Sequence, residues 1–171
     1  MLYSPCMEHF QSSEVVVSGK HLVIFAVNLQ KKGSFNALSE IVLPVFTELA
    51  PFMKNEHQVL YIRDIPKYCI DEKLLYGNAY VENEVTIAVP QWPANKSQLI
   101  STIAHELHHL ARWQTVGYGK TLGEATVSEG FATWYGIEKS DWIPPWAQVS
   151  ITEDMKKKAF QEWDSSKYDH K

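Results

Sequence analysis

From Ser97 to Trp113 the chain contains neither glycine nor proline, and its apolar positions recur at helical spacing. On a wheel drawn from His105, the residues Leu99, Ile100, Ile103, Ala104, Leu107, Leu110 and Ala111 share an arc of about 140°. Gln98, Ser101, Thr102, His105, Glu106, His109 and Arg112 take the other side, with Trp113 the one large apolar residue among them. This split predicts a helix that buries one stripe in a core and keeps a polar face for chemistry. Ser97 is placed to cap it, with Asn95 the alternative, and Gly117 and Gly119 stop it.

Elsewhere the pattern alternates between strand and helix. Val15, Val16 and Val17 and the run 22–27 flank Ser18-Gly19-Lys20 and predict a hairpin. Residues 35–53 predict a helix through Leu38, Ile41, Leu43, Val45, Phe46, Leu49 and Phe52, which Pro44 is expected to kink or divide. Val59 to Ile62 reads as a short strand and residues 65–73 as a loop. Residues 78–81 and 85–89 form a second hairpin about Glu82-Asn83-Glu84. The stretch Asp141-Trp142-Ile143-Pro144-Pro145-Trp146 reads as a rigid connection whose aromatics pack beneath a loop, with lining of a pocket the alternative. Thr152, Glu153 and Asp154 open a last helix over 152–164, with Lys156, Lys157 and Lys158 on its solvated face. The prediction is one α+β domain over residues 1–171: an N-terminal hairpin in 1–30, a core in 56–137 and a C-terminal helical segment in 138–171.

Composition narrows the function classes. A chain of 171 residues, 45% hydrophobic and 21% charged, can build one compact core. A net charge of −4 gives no electrostatic case for nucleic acid. Cys6 and Cys69 lack metal or redox spacing and read as free thiols of a reducing compartment. The first residues have no basic and then apolar leader pattern, and the run 22–27 is too short to cross a bilayer. A cytoplasmic protein without membrane partners is expected.

The chemistry is concentrated in His105-Glu106-Leu107-His108-His109, an HExxH string on the polar face of the long helix. Residues i and i+4 lie one turn apart on one face, so His105 and His109 can reach one metal ion. Glu106 is about 100° round the helix from His105 and about 60° from His109, placed to touch water at the metal rather than bind the ion. This is the arrangement of a zinc ion with a general base. His108 is the alternative ligand at i+3 from His105, or a group that supports a ligand from behind.

A third ligand must come from further along. A metzincin pattern would need Gly and His where Arg112 and Thr115 stand, which excludes it. A Glu about twenty residues on, as in gluzincins, is supplied by Glu129, twenty positions past His109. Glu124 is the competing candidate; five residues away on the same helix, it is about 140° round from Glu129, so the two cannot face the metal equally. If not a ligand, Glu124 is expected to orient a ligand histidine. Gly130 is expected to let this helix pass close to the HExxH helix.

His-Glu-Leu-His-His followed by Ser-Glu-Gly-Phe-Ala resembles the gluzincin zinc peptidases, whose related aminopeptidases carry the third ligand in Asn-Glu-Gly-Phe-Ala. The chain is more similar to a bacterial family of Zn-dependent proteases first defined as a domain of unknown function. That likeness rests on residues 102–109, on Leu122-Gly123-Glu124-Ala125 and on Glu129-Gly130-Phe131-Ala132, and it covers residues 56–137. It implies a zincin-like fold: a small, mostly antiparallel sheet packed on the HExxH helix and a following Glu-bearing helix. It implies Zn2+ held by His105, His109 and Glu129, with Glu106 as base and a peptide or protein as substrate. It further implies that the strand before the HExxH helix, residues 85–89, is a sheet edge that pairs with an extended substrate; an internal core strand is the other reading. Tyr118, Tyr135 and Tyr168 are the candidates for a donor to the oxyanion. The family pattern continues into a Gly-Tyr-bearing helical segment absent here, so a catalytically inactive or latent zinc-binding module is the alternative function.

Overall fold

The structure, a computed structural model, describes residues 10–27, 34–64, 74–90, 94–117, 119–148 and 150–165. The expected loop at 65–73 lies outside them. Strands β1 (Phe10–Val17) and β2 (Lys20–Val27) pair antiparallel across Ser18 and Gly19, both at positive φ. That is the backbone a two-residue hairpin turn requires. Helix α1 (Ser34–Leu49) follows and runs on through Pro44. Pro44 is exposed, so the carbonyl of Glu40, which loses its helical donor to the proline, can be solvated. A 3-10 turn (Ala50–Phe52) leads to β3 (His57–Asp64), then to β4 (Tyr76–Val81) and β5 (Glu84–Val89). The helices α2 (Lys96–Val116), α3 (Leu122–Ser140) and α4 (Glu153–Ser165) follow, with a 3-10 turn at Pro145–Ala147 between the last two.

The fold is α+β, but the sheet is mixed rather than mostly antiparallel. Its order is β1-β2-β3-β5-β4, with β2/β3 and β3/β5 parallel and the two hairpins antiparallel. Helix α1 is the crossover that a parallel β2/β3 pair needs. Among the described residues β5 is internal and β4 is the outermost strand on that side. The expectation of an edge at residues 85–89 is therefore corrected. Val85, Ile87 and Val89 belong to the buried core, while on the alternate face Ala88 is buried and Glu84 and Thr86 are half-buried.

Helices α1 and α2 share one core with the sheet. Leu22, Ile24, Leu60, Ile62, Val85 and Ile87 cluster with Leu38, Val42 and Phe46 of α1 and with Leu99, Ile103, Leu107 and Leu110 of α2. Each fully buried aliphatic side chain contributes about 1.5–3 kcal/mol, so the apolar stripe of α2 fixes which of its faces is left for the groove. The cap is Asn95, whose side chain accepts from the backbone N–H of Gln98 at 3.0 Å, and not Ser97. Near the other end, buried Gln114 donates to Oε1 of Gln58 and to the carbonyl of Glu82 and accepts from the N–H of Asn55. These bonds tie α2 to β3 and to the β4–β5 turn, so the helix cannot slide along the sheet. Helix α3 packs on α2. Among the described residues no helix is long and apolar enough to cross a membrane.

Candidate metal centre

His105 and His109 project from the polar face of α2 with ring centroids 4.7 Å apart and Nε2 atoms 3.0 Å apart. From α3, Glu129 brings Oε2 to 3.3 Å from Nε2 of His105 and Oε1 to 3.3 Å from Nε2 of His109. One ligand atom of each residue lies within 4.8 Å of the others. Among the described residues no other group of three or more His, Cys, Asp or Glu converges in this way. Lone pairs of two imidazoles and a carboxylate at this range repel unless a proton or a cation lies between them. Ligands about 2.0–2.1 Å from a tetrahedral ion stand about 3.3 Å from one another, the spacing seen here. The donor set and its spacing fit Zn2+. Hydrogen bonds from His105 and His109 hold the Glu129 carboxyl well below the usual carboxylate range.

Ser128 was not evident from the sequence as a site residue. Its Oγ lies 3.2 Å from Nδ1 of His109. With Nδ1–H donating to that hydroxyl, Nε2 keeps the free lone pair that a metal ligand needs.

Glu106 is buried, with Oε1 4.0 Å from Nε2 of His105, beside the three-ligand group and not within it. Burial pushes its carboxyl up to about 6, against the pull of His105 and His109. Gly77 of β4 packs directly on this carboxylate: a Cβ there would lie 2.7 Å from Cδ of Glu106. The absence of a side chain lets the outer strand reach the Glu106 carboxylate.

Other expected site residues lie elsewhere. His108 turns toward Tyr135, ring centroids 5.8 Å apart, and is not in the ligand group. Burial lowers its pKa to about 4, so the ring is neutral, and its buried Nδ1 has no hydrogen-bond partner. Glu124 supports no histidine; it caps α3. Its carboxylate accepts from the N–H of Lys120 at 2.7 Å and of Thr121 at 3.1 Å, while Thr121 Oγ1 accepts from the N–H of Glu124. Those backbone bonds hold its pKa below the ordinary value. Tyr135 donates to Oε2 of Glu48 at 3.2 Å, toward α1. Tyr118 and Tyr168 lie outside the described residues. Gly130 faces open space, and the close approach of the two helices is at Gly136, where a Cβ would lie 2.8 Å from the carbonyl oxygen of Ser101.

The ligand group opens into a groove of about 420 Å³. Its lining includes Tyr76, Gly77, Asn78 and Ala79 of β4, Arg112 and Trp113 of α2, and Thr133 of α3. Trp142, Pro144 and Trp146 line it too, so of the two readings of the aromatic connection it is the pocket-lining one that the structure bears out.

Residues 19–170 match the model of a family described as predicted Zn-dependent protease (DUF2268). No curated protein matches the chain.

Proposed function

The chain belongs to this family of predicted Zn-dependent proteases, and from that premise we propose that it is a zincin-like peptidase that hydrolyses peptide bonds in the groove beside β4. One observation carries the reading: His105, His109 and Glu129 converge next to the buried carboxylate of Glu106 inside an open groove. Zn2+ held by those three residues supplies a Lewis acid that acidifies water and polarises a carbonyl.

The rest is the work of the chain. Glu106 takes a proton from the attacking water and hands it to the leaving amine, so the break yields a carboxylate and an amine. Ser128 fixes the tautomer and the ring plane of His109. Strand β4, the outermost, offers backbone N–H and C=O groups to an extended peptide. Gly77 sets that edge in contact with the base. A module without turnover would be favoured by a fourth protein ligand or a filled groove. Among the described residues no fourth ligand joins the three, and the groove is open, which supports the peptidase.

A peptide-library digest with zinc-loaded and with chelated protein tests the proposal. Cleavage that stops on chelation and returns with zinc is expected. Stoichiometric zinc with no cleavage of any peptide would contradict it and favour the module.

A further inference from the structure

Arg112 lies three residues past His109 on the same face of α2 and lines the same groove. Among the described residues its guanidinium takes part in no ion pair within 4.0 Å. Sequence and fold explain why. No Asp or Glu occurs from residue 107 to 117, so its own helix has no carboxylate at i±3 or i±4. Of the carboxylates that α3 presents on this side, Glu124 feels the charge of Arg112 but is bound to the backbone of Lys120 and Thr121. Glu129 is held against His105 and His109. A cation without a paired anion thus borders the groove of a chain whose net charge is −4.

Its place sets what it can meet. Along α2, Arg112 is about 4.5 Å beyond His109 and about 10.5 Å beyond His105. An extended peptide advances about 3.4 Å per residue. The guanidinium therefore addresses a group about one to three residues from a bond held at the ligands. Its planar fork of donors matches a carboxylate, which can accept two parallel N–H bonds.

We propose that Arg112 anchors a carboxylate of the peptide substrate within about three residues of the scissile bond, either an acidic side chain or the free C-terminus. The proposal rests on the peptidase reading and adds a substrate class to it. The test is made on zinc-loaded Glu106→Gln protein, which is expected to bind peptides without cutting them, and follows tryptophan fluorescence. Three peptides of one parent sequence are titrated: one with an internal Glu and an amidated end, one with Gln there and a free C-terminus, one neutral at both.

A carboxylate-bearing peptide is expected to bind about 10–100-fold more tightly than the neutral one. Preference for the first peptide assigns a side-chain subsite; preference for the second assigns the terminal carboxylate and exopeptidase action. Arg112→Ala in the same background is expected to erase the difference and Arg112→Lys to restore part of it, with zinc content and circular dichroism showing that both variants are folded. Equal affinity for all three peptides, no binding of any, or a preference that survives Arg112→Ala overturns the proposal. An Arg112-dependent preference in a protein whose native form cuts none of these peptides would instead refute the peptidase reading and leave the carboxylate subsite standing.

Discussion

Gly77 on the outer strand β4 lies in direct contact with the carboxylate of Glu106 on α2, and no methyl group fits between them. The Glu106 carboxylate is thus positioned from two sides: by its own helix and by the outer strand. Gly77→Ala is expected to push the carboxylate out of place. A displacement on the order of 1 Å lowers kcat by about 100-fold, while zinc content stays stoichiometric because the three ligands are untouched. Turnover and metal analysis on one sample check this; an unchanged kcat would show that the contact does not position Glu106.

The two glutamates of α3 separate cleanly. Glu129→Ala removes a charged ligand and is expected to weaken zinc binding severely. Ser128→Ala, which frees Nδ1 of His109, is expected to weaken it by about 10–100-fold. Glu124→Ala is expected to leave zinc affinity as it is and to lower only the melting temperature, through loss of the capping box with Thr121. Titration of the three variants against a competing chelator ranks them; Glu124→Ala as the weakest binder would overturn the ligand assignment.

Two glycines of α3 give opposite outcomes. At Gly136 a methyl would run into the backbone of Ser101 and part α3 from α2. Gly136→Ala is expected to cost about 1–3 kcal/mol of stability and to weaken zinc binding by shifting Glu129 from the histidines. Gly130→Ala meets nothing within 4 Å and is expected to be neutral or stabilising by up to about 1 kcal/mol through helix propensity. Thermal melts of both variants decide; a loss at Gly130 equal to that at Gly136 would contradict the packing described.

Much of this was readable from spacing. The stripe from Leu99 to Ala111 located α2 and its polar face because burial is set by the same 3.6-residue period. Asn95 and Ser97 could not be separated as caps, both being good acceptors before the same stripe. The parallel β2/β3 pair was legible in principle, since a helix between two strands has the length of a crossover; the mostly antiparallel sheet came from the family resemblance. The edge expected at residues 85–89 falls instead on β4, because strand order is set by tertiary pairing that the run Val85-Thr86-Ile87-Ala88-Val89 does not reveal. The wheel of α3 also held the correction for Gly130: Gly136, at i+7 from Glu129, shares its face, whereas Gly130 is about 100° away. Thr121-x-x-Glu124 was a readable capping box that accounts for Glu124. The contact of Gly77 with Glu106 and the reach of Ser128 to His109 depend on tertiary placement and had no sequence signal.

Removal of metal is expected to loosen the site and spare the fold. The core of Leu22, Phe46, Leu60, Ile87, Ile103 and Leu107 is fully buried without any metal ligand, unlike the core of a zinc finger. Chelation is expected to lower the melting temperature and leave the far-UV helical signal largely intact. Loss of that signal on chelation would show that the ion holds α2 and α3 together.

The peptidase reading assigns Glu106 to moving protons and not to holding metal. Glu106→Gln keeps the shape of the side chain against Gly77 and removes the base. Zinc content and peptide turnover are measured on the same preparation beside the native protein. One zinc per chain is expected in both, and turnover reduced to background in Glu106→Gln; loss of zinc from the variant, or turnover that persists with zinc bound, would contradict that role.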